Sequence, residues 1–141
     1  MNKTIFLTLP VRDLPKSKAF FEALGYGFNP QFSGDGAECL IISESIQIML
    51  GTHEKFLHFA PKGICDTSVA NEVLITLSCE SREEVDTMVR KAVAAGGSTC
   101  DEAQDHGFMY DHGFLDLDGH AWGVMWMDQA AVAGEEMKNA E

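Results

Sequence analysis

The sequence predicts an α+β fold in which two tandem βαβββ modules form one cup-shaped mixed β-sheet with helices on its outer face. The main observation is the order strand, helix, three strands, which occurs in the first half of the chain and again in the second. A length of 141 residues suits one domain, whereas each half alone is too short to bury a good core. The two modules are therefore expected to share one core.

The first module is expected over about residues 3–60. Aromatic and β-branched residues over 4–10 predict a strand. Asp13 followed by Pro15 is typical of a helix start, and Gly25 is typical of a helix end. Turn residues then separate three further predicted strands, which cover residues 26–33, 38–43 and 46–50.

The second module is expected over about residues 70–128. It follows a polar connection at 52–71 with a helical turn around 53–58. Residues 72–78 predict a strand, and the S-x-x-E motif at Ser81 is typical of a helix start. The remaining predicted strands cover residues 98–101, 108–116 and 120–127. The domain is expected to span residues 1–128, and residues 129–141 are expected to form a short C-terminal tail that frays or forms a loose helix.

The composition excludes two classes of partner. The chain has 10 Lys+Arg against 22 Asp+Glu, a formal net charge of -12. Proteins that bind nucleic acid or anionic membranes present clustered basic residues, and none are clustered here. No apolar run is long enough to span a bilayer. A small molecule is therefore the expected partner, with a weak bias toward cationic ligands.

The four cysteines indicate a reducing compartment. None of them lies in a C-x-x-C pair, and three lie in or beside apolar stretches that predict strands. This pattern is typical of reduced thiols rather than of a disulfide framework or a zinc site. The N-terminal residues do not form a signal peptide, so we expect a cytoplasmic protein.

Several short motifs occur in a specific order and spacing over residues 3–128. They are LPVRDL at 9–14, Ser17, Phe20, Phe21, ALGY at 23–26, AAGG at 94–97 and DLDGH at 116–120. With these motifs the chain resembles the vicinal oxygen chelate superfamily, which includes glyoxalase I, bleomycin- and fosfomycin-resistance proteins and extradiol dioxygenases. It is most similar to bacterial members named as predicted lactoylglutathione lyases.

The resemblance implies a site inside the cup. In metal-dependent members, four strand residues, usually His and Glu, hold a divalent ion that chelates two neighbouring substrate oxygens. Those positions fall on Phe6, on Met49 within a residue or two, on Leu74 and on Gly123. None of these side chains can ligate a divalent ion, and Gln47 would supply only a weak neutral oxygen. We therefore expect no metal and no other cofactor.

Alternation along the strands supports this register. The neighbours of the cup positions are all large and apolar, as a helix-covered face requires: Ile5, Leu7, Leu9, Ile48, Leu50, Val73, Ile75, Leu77, Trp122, Val124 and Trp126. The cup face then carries the predicted ligand-binding residues Phe6, Thr8, Met49, Leu74, Thr76, Gly123 and Met125. An apolar lining with a few hydroxyl groups is typical of a small-molecule pocket. Alternatively, these residues fill the cup or form a dimer interface.

His106 and Tyr110 are the candidate catalytic residues. They lie in the most polar and aromatic stretch, and a loop at 104–107 would fold His106 back over the cup. The pair would then contact a ligand or act as acid and base; the alternative is an exposed loop histidine and a tyrosine at the rim. His120 follows the Asp118-Gly119 turn and is interpreted as structural.

Three functions stay open from the sequence. The first is a metal-free protein that binds a small, partly apolar molecule in the cup, as resistance proteins that sequester a drug do. The second is a glyoxalase- or dioxygenase-like lyase whose nickel, zinc or iron is held by a rearranged set, such as His106 with groups of a second chain. The third is a structural dimer with a filled cup. A homodimer is expected because superfamily members commonly pair near their sites and symmetric dimers are the commonest oligomers.

Overall fold

The computed structural model describes residues 3–131, so most of the tail predicted after residue 128 lies outside the described residues. The elements follow in this order: β1 (Ile5–Val11), α1 (Leu14–Ala23), β2 (Gly27–Gly34), β3 (Ala37–Ser43), β4 (Ile46–Thr52), α2 (His53–Phe59), β5 (Leu74–Ser78), α3 (Arg82–Ala94), β6 (Gln104–Asp105), β7 (Met109–Leu115) and β8 (Ala121–Met127). No described helix is long and apolar enough to cross a membrane.

The two predicted modules are confirmed. The first consists of β1, α1, β2, β3 and β4, and the second consists of β5, α3, β6, β7 and β8. Their sheets have the matching orders β1-β4-β3-β2 and β5-β8-β7-β6. In each sheet the first strand of the module runs parallel to the last, and the other pairs are antiparallel. The α+β class is therefore also confirmed.

The structure corrects the expectation of one continuous sheet. Within residues 3–131 the strands form two four-stranded sheets, since β1 pairs only with β4 and β5 pairs only with β8. Side chains join the modules instead. Phe20 of α1 packs on Phe114 of β7, and Phe21 packs on Trp122 of β8, with ring centroids 6.3 Å and 5.2 Å apart. These aromatic contacts bury the shared core without a hydrogen-bonded ladder between the sheets.

Both long helices begin at the predicted caps. The Asp13 carboxylate accepts a hydrogen bond from the Lys16 amide, and the Ser81 hydroxyl accepts one from the Glu84 amide. Just past the end of α1, Gly25 has a φ of 103°, a conformation that glycine adopts without strain. Each helix turns one apolar face to the core, with the buried side chains of Phe20, Phe21, Val85, Val89 and Ala92.

The strand predicted at 98–101 is wrong. Only a single bridge forms there, between Ser98 and Leu115, and the edge strand is β6, which starts six residues after Ser98. The Thr99 hydroxyl donates a hydrogen bond to the Gly113 carbonyl oxygen. This bond occupies an acceptor that the backbone amide of a paired strand would otherwise use. A side chain thus replaces the backbone ladder at this edge.

The alternation predicted for the central strands is confirmed with one exception. The residues expected under the helices are buried or packed against the core: Leu7, Leu9, Ile48, Leu50, Val73, Ile75, Leu77, Trp122, Val124 and Trp126. Ile5 is 55% exposed, because it lies at the start of β1, beyond the part of the sheet that the helices cover. The opposite face of each sheet is therefore the predicted cup face.

Candidate functional site

A cavity of about 290 Å³ lies on the cup face of the first sheet. Its floor comes from neighbouring strands, because Thr8 of β1 pairs with Met49 of β4, and Gly51 of β4 pairs with Ala37 of β3. The full lining is Thr8, Phe32, Gly34, Ala37, Met49, Gly51, Lys55, Phe56 and Phe59. Three aromatic rings and a methionine make this cavity mainly apolar.

Helix α2 covers one side of this cavity. It starts directly after β4, and the Thr52 hydroxyl caps it by accepting a hydrogen bond from the Lys55 amide at 3.2 Å. This abrupt change from strand to helix carries Phe56 and Phe59 over the sheet. The sequence predicted a helical turn here but not its place over the cup, although the i, i+3 spacing of the two aromatic residues was a signal for one covered face.

The predicted ligand-binding residues divide between the two sheets. Thr8 and Met49 line the cavity. Phe6 lies on the same face of β1, in register with Gln47, and is 54% exposed. The other four residues lie on the cup face of the second sheet and do not line this cavity; they are Leu74, Thr76, Gly123 and Met125. A binding role for each of the seven stays a prediction.

The structure does not bring the two candidate catalytic residues together. The Tyr110 hydroxyl donates to Asp86 of α3 at 2.6 Å, on the helix-covered face of β7. The His106 Nε2 atom lies 3.3 Å from the carboxylate of Asp111, which alternates to the other face. The bond to Asp86 raises the pKa of Tyr110 and keeps the phenol protonated. Tyr110 and His106 thus have separate partners, and a catalytic role for either alone stays a prediction.

A second, larger cavity of about 760 Å³ lies at the junction of the modules. It forms where the end of β1, residues 64–68 and the turn at 116–120 meet. This turn holds Asp116, Asp118 and His120, whose potential metal-ligating atoms lie within 4.8 Å of one another. Among residues 3–131 this is the one such group of three or more, so its fit to a cation can be tested from its hydrogen bonds.

The oxygens of Asp116 already accept hydrogen bonds. Its Oδ1 atom accepts from the amides of Asp118 and His120, and its Oδ2 atom accepts from the indole nitrogen of Trp122 at 2.9 Å. Burial raises the pKa of this carboxyl, while the nearby His120 charge and these donors oppose the rise. Asp118 is also engaged, since it accepts from the Arg12 amide at 2.8 Å.

His120 presents hydrogens rather than a lone pair. Its Nδ1 atom lies 2.5 Å from the carboxylate of Glu72, and its Nε2 atom lies 2.8 Å from the Pro10 carbonyl. Both partners are acceptors, so both ring nitrogens must carry a proton. Burial alone would lower the pKa of His120, but Asp116, the Pro10 carbonyl and Glu72 together raise it above its ordinary value. Because both ring nitrogens of His120 contact acceptors, neither presents a free lone pair to a metal, and the cluster links β1 to the second module.

Comparison with known proteins finds one family model and several solved structures that are similar to this chain. A model of the family "Bleomycin resistance protein-like N-terminal" matches residues 3–36. A hypothetical protein from S. aureus is 29% identical, with a TM-score of 0.76 over 89% of this chain and 94% of that one. A glyoxalase/bleomycin resistance protein/dioxygenase family enzyme from Burkholderia phytofirmans is 17% identical, with the same TM-score over 89% of this chain and 99% of that one.

A further structural match is an antibiotic binding protein from Streptomyces. It is 17% identical, with a TM-score of 0.63 over 90% of this chain and 97% of that one. No curated protein matches the chain significantly. The chain has the vicinal oxygen chelate fold, and these findings support its assignment to that superfamily.

The donor set at the superfamily's four metal positions does not fit a divalent ion. Phe6, Met49 and Leu74 offer no carboxylate or imidazole. Gln47 stands in register with Phe6, and its amide oxygen accepts from the Cys39 thiol at 3.2 Å.

The fourth metal position falls on Gly123, which has no side chain to offer as a ligand. A Cβ atom there would lie 2.9 Å from the hydroxyl of Thr76, so the sheet surface is bare backbone at this point. Gly113 stands opposite it in register on β7. The superfamily's glutamate position is thus occupied by a flat patch of backbone.

Proposed function

We propose that this superfamily member binds a small, partly apolar molecule in the cavity over the first sheet, without the usual metal. The observation that carries the proposal is the lining: Phe32, Phe56 and Phe59 surround a floor made by Thr8 and Met49. Ligand sites are typically concave and apolar, with a few polar groups that orient the ligand. A volume of about 290 Å³ suits a molecule the size of a small aromatic compound.

The comparisons give this proposal further support. One structural match bears the name of an antibiotic binding protein, and the family that matches residues 3–36 is described as bleomycin resistance protein-like N-terminal. Both names describe proteins linked to small molecules rather than to nucleic acid or membranes. We extend to this chain only the general link to a small molecule, and not to any particular drug.

A cavity-blocking substitution tests the proposal. Thr8 is exposed on the cup face, so Thr8→Trp should fill the cavity without disturbing the core. Thr4→Trp is the matched control, because Thr4 is exposed and precedes β1. In a thermal-shift screen of small aromatic and aliphatic compounds, we expect stabilisation of the wild type and of Thr4→Trp, and none of Thr8→Trp. A screen in which no compound raises Tm would instead favour a structural protein.

The alternative function, a metal-dependent lyase or oxygenase, predicts a different result. It needs nickel, zinc or iron held by a rearranged ligand set that includes His106. Metal analysis of protein purified without chelators separates the two functions. Stoichiometric metal whose loss abolishes turnover would contradict the metal-free proposal, and its retention after His106→Gln would exclude that histidine as a ligand.

We also propose that the protein is a cytoplasmic homodimer. Exposed apolar side chains on the cup faces support pairing, since Phe6 is 54% exposed and Leu74 is 70% exposed. All four cysteines are free, which fits a reducing compartment. Light scattering should give twice the chain mass for the wild type, and Leu74→Glu should shift the equilibrium toward the monomer.

A further inference from the structure

Lys55 gives the proposed cavity a definite charge. Among the residues that line it, Lys55 is the one with an ionisable side chain, and the others are apolar, glycine or threonine. Its side chain is 29% exposed. A positive charge beside an apolar wall acts at lower effective dielectric than one in open solvent, so its interaction with a ligand charge is strengthened.

The local structure holds this lysine over the cavity. Its stem passes close to Gly36 and Gly51, because Cβ atoms built on those glycines would lie 3.6 Å and 3.8 Å from the Lys55 Cβ atom. Larger residues there would crowd the stem. The Thr52 cap fixes the helical turn that carries Lys55, and the ammonium lies 5.7 Å from the ring centroid of Phe59. The two nearby glycines, the Thr52 cap and the Phe59 ring thus together fix the position of Lys55.

The ion pair of Lys55 shows that an anion fits beside its ammonium. The Asp35 carboxylate lies 3.3 Å from Nζ, and this aspartate side chain is 96% exposed on the turn between β2 and β3. Ion pairs with so exposed a partner contribute little to stability. A ligand carboxylate that also buries an apolar body in the cavity would therefore replace Asp35 at small cost.

From these contacts we infer that the ligand is an apolar molecule with an anionic group, of the carboxylate type, which Lys55 binds at the edge of the cavity. This inference rests on the proposed function and specifies its ligand class. It reverses the weak bias toward cationic ligands expected from the net charge of -12. The net charge acts over the whole surface, whereas affinity within a cavity depends on the few groups that touch the ligand.

Three matched probes test the inference. Naphthoate, naphthamide and naphthylmethylamine share an apolar body and differ in charge. We expect the wild type to bind naphthoate about tenfold more tightly than naphthamide, and the amine most weakly. Titration calorimetry on the full chain measures each affinity, and Thr8→Trp should abolish the binding of all three.

Variants at the lysine then assign the effect. Lys55→Met keeps the stem over the two glycines and should lower naphthoate affinity about tenfold, which removes the preference for naphthoate over naphthamide. Lys55→Arg should keep the preference for naphthoate, and Asp35→Asn should raise naphthoate affinity. Lys62→Met is the matched control, since Lys62 is an exposed lysine outside the cavity lining. Retained naphthamide binding by Lys55→Met shows that the variant is folded.

The outcomes separate the two proposals. Equal affinity for the three probes, or an unchanged preference in Lys55→Met, would overturn the anionic ligand and leave the cavity proposal in place. If no probe binds the wild type, or if Thr8→Trp binds the probes as tightly as the wild type does, both proposals would be overturned.

Discussion

At the residue scale, His120 makes stability depend on pH. Its pKa is raised in the folded protein by Asp116, Pro10 and Glu72, against the effect of burial. The folded state therefore holds this proton more tightly than the unfolded state, whose histidine titrates near pH 6.5. The stabilisation is fully present below that pH and is lost as the pH rises through the folded-state pKa.

We therefore expect the free energy of unfolding to fall as the pH is raised above about 6.5, through the raised folded-state pKa of His120. In His120→Gln this fall should be reduced, because the glutamine side chain does not titrate. Urea denaturation at several pH values measures the difference. His58→Gln, at an exposed histidine of α2, is the control and should keep the wild-type dependence. Parallel profiles for the wild type and His120→Gln would contradict a charged His120.

Residue roles could be predicted from the sequence where their partners are close in the chain. Asp13 and Ser81 contact amides three residues on, so their capping roles follow from local spacing. The partners of His120 lie 110 and 48 residues away, and no spacing rule reaches them. The place of Lys55 in the cavity lining could not be predicted for the same reason, because it depends on how α2 folds back over the first sheet.

At the scale of elements, the ends of α3 and β7 meet at one glycine. A Cβ atom on Gly97 would lie 2.5 Å from the Leu115 carbonyl oxygen and 3.0 Å from that of Ala92. Both atoms belong to the backbone, which cannot move aside as a long side chain can. The absence of a side chain is therefore what lets the helix end so close to the strand.

This contact predicts that Gly97→Ala lowers the free energy of unfolding by about 2 kcal/mol or more. Gly27→Ala is the matched control, because nothing lies within 4 Å of a Cβ atom at Gly27. Its effect should stay within about 0.5 kcal/mol. Chemical denaturation of both variants gives the comparison, and equal losses would show that the close approach is not rigid.

Elements with strong caps and regular alternation were predictable, and elements fixed by tertiary contacts were not. The central strands alternate between core and cup, which identified β1, β4, β5 and β8 from the sequence. The edge strand predicted for the second sheet at 98–101 was wrong, because the Thr99 side chain rather than the backbone bonds to β7 there. Seven apolar or small residues were predicted for the cup, but the aromatic wall of α2 was missed.

At the scale of the whole molecule, the two modules are alike in topology and unlike in their cup faces. Helix α2 follows β4 and covers the first sheet. After β8 the described chain continues only to residue 131, with residues 129–131 helical, and Leu74 on the cup face of the second sheet is 70% exposed. The duplication therefore supplies two similar scaffolds, and α2 contributes the aromatic wall of the cavity that we propose as the ligand site.

The aromatic contacts between the modules predict that they unfold together. Phe21 of the first module is 1% exposed and packs on Trp122 of the second. Phe21→Ala should therefore cost about 3–5 kcal/mol and lower the stability of both modules. Both tryptophans, Trp122 and Trp126, lie in the second module, and Trp122 also contacts the first module, so their fluorescence reports on the second module and on this contact, whereas circular dichroism reports on the whole chain. In Phe21→Ala, the unfolding midpoints measured by fluorescence and by circular dichroism should move together to lower urea concentration. Phe59→Ala, which removes a ring that is 71% exposed, should barely shift either midpoint. Separate midpoints for fluorescence and circular dichroism would show instead that the modules are independent folding units.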